Sequence, residues 1–518
     1  MLWLNQFYIL AQTFLILLYI PRFLMIFNIH VTGVVQGVGF RPFIYRLAKS
    51  HNLKGSVVNL GDAGVKITVQ GDMDQVYRFI EDIRNKAPPL AQIDEIKVEE
   101  EKEGESKELT IDFFIMQSKH ERESQGSTIP PDIGICDDCM KELFDPNDRR
   151  YLYFFITCTN CGPRFTIINS LPYDRERTSM ASFKMCEECN REYTDPGNRR
   201  FHAQTIACHS CGPPASLLDK KGVELSSSSI DAVEKASKLL AEGAIIAVKG
   251  NGGFHLACSA EEDDVVSKLR RLLGREQQPF AIMARDLETT KKFAYISEEE
   301  SRLLTSSVKP IMVLRKKEGY DRLISPLVSP GLHTIGVMLP YTGLHALLFH
   351  ENSINAFIMT SANKPGYPMV VDSQEALQKL KDVVDYFLMH NRKIVQRCDD
   401  SVVSVIGDKK TFLRRSRGYV PLPITIRKES NQTILATGPD TDVTFCILTK
   451  NQAFLSQHIG DASHHETMEF FKNAFQHFQN LLDVNPSLIA CDLHPRFATT
   501  LLAEQLSQEK NIPLVHVQ

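Results

Sequence analysis

Alternating hydrophobic and polar positions mark the first folded stretch of the chain, residues 25–117. The segment IFNIHVTG alternates with the two-residue period of a strand, and RPFIYRLAKSHN spaces Phe43, Ile44 and Leu47 along one side of a helix. Pro42 falls in the first turn of that helix, where its missing N–H costs little. Two strands in KGSVVNLGDAGVKITVQG, a helix in MDQVYRFIEDIRNKA and closing strands in IDEIKVEEEK and LTIDFFIM follow. The order βαββαβ predicts a ferredoxin-like α/β domain.

Two longer stretches alternate whole helices with strands. From 230 to 426, helices such as IDAVEKASKLLAEG alternate with apolar strands such as AIIAVKG, PIMVLRK and AFIMTSAN, which predicts a mixed-sheet α/β domain. A polar linker, 219–229, precedes it. From 433 to 518, strands flank the long helix HETMEFFKNAFQHFQNLLDV, and a second helix leads to the strand IPLVHVQ. Because the chain stops on that strand without a cap, we expect this domain to be incomplete.

The stretch between these blocks, residues 118–218, repeats itself. CDDCMKELFDPNDRRYLYFFITCTNCGP and CEECNREYTDPGNRRFHAQTIACHSCGP align without a gap at a period of 50 residues, so the block is a duplicated module. Each copy has two C-x-x-C pairs with eighteen residues between them, a spacing typical of structural zinc sites with four thiolates. The predicted ligands are Cys136, Cys139, Cys158, Cys161, Cys186, Cys189, Cys208 and Cys211. Each copy closing on its own zinc ion, nesting of outer and inner pairs, and redox disulfides stay open as alternatives.

Composition and charge narrow the function classes. The 518 residues are 43% hydrophobic and 24% charged with a net charge of −4, so the chain lacks the overall basic surface typical of nucleic-acid binding. Eight of twelve cysteines fall in C-x-x-C pairs, which favours metal ligation in a reducing, cytoplasmic setting. The segments DRRYLYFF and GNRRFHAQ keep a zinc-ribbon nucleic-acid binder as an alternative. Against it, Asp145 and Asp195 adjoin these arginines, where internal ion pairing competes.

The first twenty residues, MLWLNQFYILAQTFLILLYI, carry no charge and are long enough to span a membrane. They contain Asn5, Gln6 and Gln12, however, and lack the basic region and cleavage site of a signal peptide. Met25 then opens a natural first strand. We therefore expect residues 1–24 to be an apolar extension upstream of the fold, with no membrane partner.

A glycine-rich passage lies between the first strand and the first helix. VTGVVQGVGFRPF brings Gly33, Gly37 and Gly39 together just before Arg41, in a pattern that is neither a dinucleotide fingerprint nor a Walker loop. Such turns let successive backbone N–H groups surround an anion, and the helix N-terminus adds its positive end. A tight turn with an exposed arginine is the plainer interpretation. Asn59, at the end of another strand, favours the phosphate site because its amide can orient a water.

The third block holds further groups suited to phosphates. FIMTSANKPGYP ends a strand in Ser361 and Asn363, and RRSRGYVPLPI supplies Arg417. VKGNGGFHLAC places Lys249 beside Gly250 and two more glycines, a second candidate phosphate cradle. Each alone is equally well explained as a solvated basic loop. Together they favour a nucleotide pocket.

The passage GVVQGVGFR with the later VVNLGDAGV resembles the acylphosphatase signature. That resemblance implies that Arg41 and Asn59 are catalytic, with Asn59 positioning the attacking water. It also implies a phosphate-binding loop made of Gln36, Gly37, Val38, Gly39 and Phe40. Such a cradle stabilises an in-line phosphoryl transfer without a metal or a covalent intermediate.

The third block resembles YrdC-like domains, and all four blocks from Met25 onward resemble the HypF carbamoyltransferases of nickel–iron hydrogenase maturation. The phrases that carry this are GVVQGVGFRPF, CTNCGPRFTI, MCEEC, RRFHAQ, KGNGGFHLAC, LPYTGLHALL, HNRKIVQRCDDSV, RRSRGYVPLPI, SQHIGD and CDLHP. The resemblance implies hydrolysis of carbamoyl phosphate, formation of carbamoyl adenylate from carbamate and magnesium ATP, and transfer to the C-terminal cysteine of a partner, HypE. The implied nucleotide-binding residues are Lys249, Arg275, Ser361, Asn363 and Arg417.

The chain departs from the family pattern at three places. Leu273 and Gln278 stand where lysines are common in the family, so we expect either weaker ATP binding or contacts from Arg270 and Arg271 instead. The segment ATGPDTDVTF lacks a Lys-Asn pair that is common after ATG. The last domain, of the actin-like (ASKHA) kind, stops before a histidine-rich motif, so Asp492 and His494 form half a metal site. We expect the first two steps and loss of the third. An acylphosphatase with an inactive nucleotide domain is the enzymatic alternative.

Overall fold

The computed structural model describes residues 25–35, 38–60, 64–88, 91–100, 112–116, 130–171, 173–363 and 366–518. The expected apolar extension, 1–24, lies outside the described residues. Within those ranges, no helix combines the length and apolar character needed to cross a membrane. The chain divides into two compact units, Met1–Ser124 and Gln125–Gln518, and each is described by itself.

The first unit is a five-stranded sheet with two helices. Its elements are β1 (Met25–Val34), α1 (Phe40–Ser50), β2 (Lys54–Asn59), β3 (Val65–Gly71), α2 (Met73–Asn85), β4 (Gln92–Glu100) and β5 (Phe113–Ile115). The strand order is β4-β1-β3-β2-β5. Apolar residues of strands and helices, including Ile29, Ile67 and Phe79, are fully buried together. The predicted ferredoxin-like fold is confirmed.

The cysteine block opens the second unit and has little regular structure. Each copy has one short helix, α3 (Asp137–Phe144) and α4 (Glu187–Thr194), with 3₁₀ turns at Arg175–Arg177 and Ser179–Ser182 between them. The first cysteine of each copy, Cys136 or Cys186, is the residue just before its helix, and the next lies inside the helix. The duplication seen in the sequence is therefore also a duplication of structure.

A large mixed sheet forms the middle of the second unit. Its strands are β6 (Ala215–Asp219), β7 (Ile246–Lys249), β8 (Phe254–Ser259), β9 (Ala281–Ala284), β10 (Ala294–Tyr295), β11 (Ile311–Lys316), β12 (Thr334–Met338), β13 (Ala356–Ser361), β14 (Tyr386–His390), β15 (Val402–Ile406) and β16 (Lys409–Arg414). Its helices are α5 (Ser229–Ala241), α6 (Asp263–Leu273), α7 (Leu287–Phe293), α8 (Glu298–Leu304), α9 (Gly343–Leu348) and α10 (Ser373–Lys379). The order is β16-β15-β11-β12-β9-β13-β8-β7-β14-β6, with β10 on β11. Strand β6 comes from residues that the sequence assigned mostly to the cysteine block.

A second sheet ends the chain. It contains β17 (Ile424–Ala436), β18 (Cys446–Leu455), β19 (Leu488–Asp492) and β20 (Leu514–Val517) in the order β18-β17-β19-β20. The helices α11 (His465–Leu482) and α12 (Ala498–Lys510) pack with it. The phenylalanines of α11 and Phe445 share one core with Phe165 of the cysteine block. The cysteine block therefore contributes to the hydrophobic core of the last domain.

Candidate functional site

The glycine-rich loop and Asn59 lie at the same edge of the first sheet. Strands β1 and β2 both run antiparallel to β3, so they point in the same direction. Val65 of β3 pairs with Val31 on one side and with Asn59 on the other. The loop that follows β1 and the amide that ends β2 are therefore brought together by the sheet itself.

The described part of this loop leads directly into α1. Gly39 precedes the helix with a φ of 74°, a left-handed conformation that favours glycine. Phe40 and Val38 are buried, and Arg41, the second helical residue, is partly buried. Burial lowers the pKa of Arg41. Gln36 and Gly37, the other predicted phosphate ligands, lie outside the described residues. The N-terminal end of α1 supplies a positive dipole end and one guanidinium, which suits a phosphoryl group.

Each copy of the cysteine block gathers its own four sulfurs. In the first copy the distances between Sγ atoms are 3.6 Å (Cys136 to Cys158), 3.7 Å (Cys158 to Cys161) and 3.6 Å (Cys161 to Cys139). The corresponding distances in the second copy, Cys186, Cys189, Cys208 and Cys211, are 3.6 to 3.8 Å. Four sulfurs about 2.3 Å from one zinc ion lie about 3.8 Å apart in a tetrahedron. The two clusters thus fit zinc, and the open question of pairing is answered in favour of one cluster per copy.

Arginines of one copy contact the cluster of the other. Arg199 of the second copy donates to Cys139 Sγ at 3.0 Å and to both carboxylate oxygens of Glu142, at 2.7 and 2.8 Å. In the reverse direction, Arg149 donates to Cys189 Sγ at 2.8 Å and to Glu192 at 3.1 Å. This exchange ties the two copies together.

The second arginine of each pair is buried at the same boundary. Arg150, 1% exposed, donates to Glu192 and to the carbonyl of Ala207, and Arg200, 4% exposed, donates to Glu142 and to the carbonyl of Thr157. The expected internal ion pairing is present, but its acids are glutamates of the opposite copy. Asp145 and Asp195 accept from nearby backbone N–H groups instead.

A cavity of about 690 Å³ lies between the large sheet and the last domain. Arg275, Ser361 and Asn363 line it, as does Gln278. The Arg275 guanidinium lies 3.4 Å from Asn363 Oδ1, and the Ser361 hydroxyl donates to the same oxygen at 2.8 Å. Burial lowers the pKa of Arg275. Three residues predicted from two separate motifs therefore line one cavity, whose volume is within the size range of ligand pockets.

Arg417 lies beneath this cavity. Its guanidinium, 2% exposed, donates to Asp400 at 2.5 Å and to the carbonyls of Val308 and Lys309, and it stacks on Tyr341 with its carbon 3.5 Å from the ring centre. All three guanidinium nitrogens are thus engaged. Arg417 acts on the cavity indirectly, through the carboxylate that it holds.

Asp400 and His255 line the cavity next to that arginine. His255 Nε2 lies 3.1 Å from the Asp400 carboxylate. Burial opposes ionisation of Asp400, but the charge of Arg417 and the contact with His255 outweigh it and hold its pKa well below the usual value. Sequence reasoning missed both residues as site residues, although the phrases GFHLAC and RCDDSV contain them.

Residues of the last domain also line the cavity. His458 bridges two carboxylates, with Nδ1 2.9 Å from Asp399 and Nε2 3.2 Å from Asp442. Burial opposes ionisation of Asp399, but His458 and Arg414 lower its pKa overall. Asp461, from the same SQHIGD phrase as His458, also lines the cavity. The cavity thus has titratable groups from both domains. The residues predicted from the sequence all belong to the domain of the large sheet.

Two other predicted contacts do not reach this cavity. Lys249 lies outside it, donating to Ser373 Oγ at 2.9 Å and to the carbonyl of His390 at 3.1 Å. Arg270 turns toward backbone carbonyls, among them those of Leu327 at 2.6 Å and Arg275 at 2.8 Å. Arg270 therefore shapes the loop that carries Arg275 and does not face the cavity.

Four family models match the chain, in the order of the blocks above. The acylphosphatase model matches residues 27–113, and the HypF finger model matches 135–168 and 185–218. The model of Sua5, YciO and YrdC proteins, described as telomere recombination, matches 238–416, and the HypF Kae1-like domain model matches 429–518.

Curated relatives and solved structures are similar to nearly the whole chain. The probable carbamoyltransferase HypF of Methanocaldococcus jannaschii is 51% identical over 492 residues, which cover 95% of this chain and 63% of the relative. A crystal structure of T. kodakarensis HypF matches with a TM-score of 0.88 at 49% identity, covering 95% of this chain and 62% of that one. A crystal structure of full-length HypF in the phosphate- and nucleotide-bound form matches with a TM-score of 0.82 at 42% identity, covering 96% and 63%. The chain therefore spans about 63% of the length of the curated relative above.

Proposed function

The chain belongs to the HypF family, and on that premise we propose that it hydrolyses carbamoyl phosphate and joins the resulting carbamate to ATP. One observation carries the proposal: Arg275, Ser361 and Asn363 converge on a single cavity of about 690 Å³. One solved relative is described in its phosphate- and nucleotide-bound form, which supports a nucleotide as the occupant.

The proposed first step takes place at the edge of the first sheet. The loop from Gln36 to Phe40 and the Arg41 guanidinium bind the phosphoryl oxygens, and the Asn59 amide orients a water in line with the bond to be broken. Water attacks phosphorus, the bond between phosphorus and the carbamoyl oxygen breaks, and phosphate and carbamate leave. Arg41 and the backbone N–H groups stabilise the charge on the phosphoryl oxygens, so no metal or covalent intermediate is needed.

The proposed second step takes place in the large cavity. A carbamate oxygen attacks the α-phosphorus of ATP, the bond to pyrophosphate breaks, and carbamoyl adenylate forms. Arg275 is placed to stabilise the phosphate charge, while the Ser361 hydroxyl and the Asn363 amide orient the nucleotide. Magnesium enters with ATP as part of the substrate. Asp400, kept ionised by Arg417, and His255 face the same space and fix its electrostatics.

The remaining assignments complete the proposal. The two cysteine clusters hold zinc for folding, since four thiolates leave no open position. The recipient of the carbamoyl group is the C-terminal cysteine of HypE, as the family resemblance implies. The proposed domain limits are 25–117, 118–218, 230–426 and 433–518, and the proposed location is cytoplasmic because the thiolates require reducing surroundings.

Phosphate release from carbamoyl phosphate tests the first step. We expect Arg41→Ala to lower the rate about 100-fold or more, the effect typical of removing one preorganised donor. Arg84→Ala is the matched control, because Arg84 is exposed on α2 of the same unit. Equal loss in both variants, or undiminished release from Arg41→Ala, contradicts the proposed site.

A further inference from the structure

A second, much smaller cavity lies where two strands of the large sheet end. Strands β7 and β14 run parallel, so the residues that follow them, 250–251 and 391–392, meet at one edge. The cavity has a volume of about 30 Å³ and is lined by Lys249, Asn251 and His390. Phe154 and Phe155 of the first cysteine copy also line it. Every residue that lines it is buried except Thr342, which is half-buried.

Two buried cations adjoin this cavity: Lys249 lines it, and Arg392 packs against Asn251 and Phe155, which also line it. Lys249 is 4% exposed and Arg392 is 0% exposed. Within the described residues, Nε and Nη1 of Arg392 have no hydrogen-bond partner. Its Nη2 lies 3.4 Å from two oxygens of Asn251, and its guanidinium stacks over the Phe155 ring at 4.6 Å. No carboxylate forms an ion pair with either cation among those residues.

The acids nearest to these cations have other partners. Asp132 accepts from the backbone N–H groups of Arg164 and Thr166 and from the Thr166 hydroxyl. Asp372 accepts from the N–H groups at the start of α10. Burial, and after it the charge of Arg392, lower the pKa of Lys249 to about 8. The His390 ring adds a further buried nitrogen, Nδ1, without a partner in the described part of the chain.

Buried charges in proteins are normally paired and hydrogen-bonded, because an unpaired buried ion is costly. Here two positive side chains adjoin one small cavity, while the surrounding carboxylates are engaged. An anion in the cavity supplies the negative charge that Lys249 and Arg392 lack, and the acceptors that Nε and Nη1 of Arg392 lack. At about 30 Å³ the cavity has room for only a few atoms, since a single water already needs roughly 10–15 Å³.

We propose that this cavity binds a small planar oxyanion of the bicarbonate and carbamate class, held by Lys249 and Arg392. The volume excludes a nucleotide or pyrophosphate, and the fork of a guanidinium matches two coplanar oxygens. The site itself stands independently of the proposed function. Only the choice of carbamate as its natural occupant rests on that function.

Crystals of the full chain soaked in sodium bromide test the site without any mutation. The expected result is an anomalous peak within hydrogen-bonding distance of Lys249 Nζ or the Arg392 guanidinium. Bicarbonate enriched in carbon-13, added to the crystals before the soak, should compete with bromide for the site and lower the anomalous peak. Density explained by water alone, with no bromide at any concentration used, overturns the proposal.

Binding in solution gives a second, independent measurement. Carbon-13 bicarbonate should raise the melting temperature of the wild type and broaden its own NMR signal. Arg392→Met should weaken this binding roughly tenfold or more, because it removes a charge-assisted donor. Arg271→Met, which removes an equal charge from the exposed side of α6, should bind like wild type. Equal binding by both variants overturns the proposal.

The same proteins separate failure of this site from failure of the proposed function. Bromide binding together with absent phosphate release from carbamoyl phosphate keeps the anion site and removes the proposed function. Phosphate release without bromide or bicarbonate binding keeps the proposed function and removes the anion site.

Discussion

Arg149 and Arg199 each donate a hydrogen bond to a cysteine of the other copy, so replacing either arginine should weaken zinc binding in the opposite copy. Replacing Arg199 by Met keeps most of the aliphatic stem but removes the donor to Cys139 Sγ at 3.0 Å and to Glu142 at 2.7 Å. Arg199 belongs to the second copy, whereas both acceptors belong to the first. We therefore expect Arg199→Met to loosen zinc in the first cluster and to leave its own cluster intact.

The hydrogen bond that is removed determines the expected loss of zinc affinity. A hydrogen bond to a charged group contributes about 1.5–3 kcal/mol, and loss of a group that contacts a metal ligand lowers metal affinity about 10–100-fold. These two figures agree, since each tenfold step in an equilibrium constant corresponds to about 1.4 kcal/mol. Arg149→Met, which removes the donor to Cys189 Sγ at 2.8 Å, should weaken the second cluster by a comparable factor.

Cysteine labelling resolves the two clusters. Zinc-loaded protein is incubated with a chelator and N-ethylmaleimide, and mass spectrometry follows the labelling rate of each cysteine. Arg199→Met should accelerate labelling at Cys136, Cys139, Cys158 and Cys161, and Arg149→Met at the other four. Arg191→Met serves as the control, because Arg191 is exposed on α4. Faster labelling in the copy that carries the mutation would refute the reasoning.

Three further predictions concern the large sheet. Asp400→Asn leaves the buried Arg417 without its ionic partner and should lower the free energy of unfolding by about 3–5 kcal/mol in guanidinium titrations, whereas Asp408→Asn, at an exposed turn, should change it little. Arg275→Ala should weaken binding of a fluorescent ATP analogue about tenfold and leave phosphate release from carbamoyl phosphate unchanged; an unchanged affinity would remove Arg275 from the nucleotide site. Lys249 has a pKa of about 8 in the folded chain against 10.5 ordinarily, so between these pH values the unfolded chain binds more protons and the contribution of Lys249 to stability rises with pH. Thermal unfolding in anion-free buffer should show that rise in the wild type and a smaller one in Lys249→Met, and equal slopes would contradict it.

The fold of the first unit followed from the sequence because its strands alternate clearly and its glycines mark the turns. The duplication was equally visible, since two copies align without a gap. The sequence did not show which cysteines bind the same zinc ion, because self-closed and nested pairings use the same spacings along the chain. Only the distances between sulfurs, 3.6 to 3.8 Å within each copy, distinguish them.

The candidate site was predicted less completely, for a physical reason. A sequence shows that Arg417 and Lys249 are basic, but not that one is paired beneath the cavity and the other lies in a different pocket. His458 was missed because its partners, Asp399 and Asp442, are 59 and 16 residues away along the chain. Strand β6 was not predicted, because a short apolar run does not reveal that it joins a sheet.

Exchange of labelled pyrophosphate into ATP, in the presence of carbamoyl phosphate and magnesium, tests the two-step proposal most directly. The wild-type chain should catalyse this exchange only when carbamoyl phosphate is present. Arg41→Ala should abolish the exchange, and Arg275→Ala should lower it about tenfold at ATP concentrations below saturation. Phosphate release from carbamoyl phosphate should fail only in Arg41→Ala. Sustained phosphate release with no exchange in the wild type would contradict the account and leave an acylphosphatase joined to an inactive nucleotide domain.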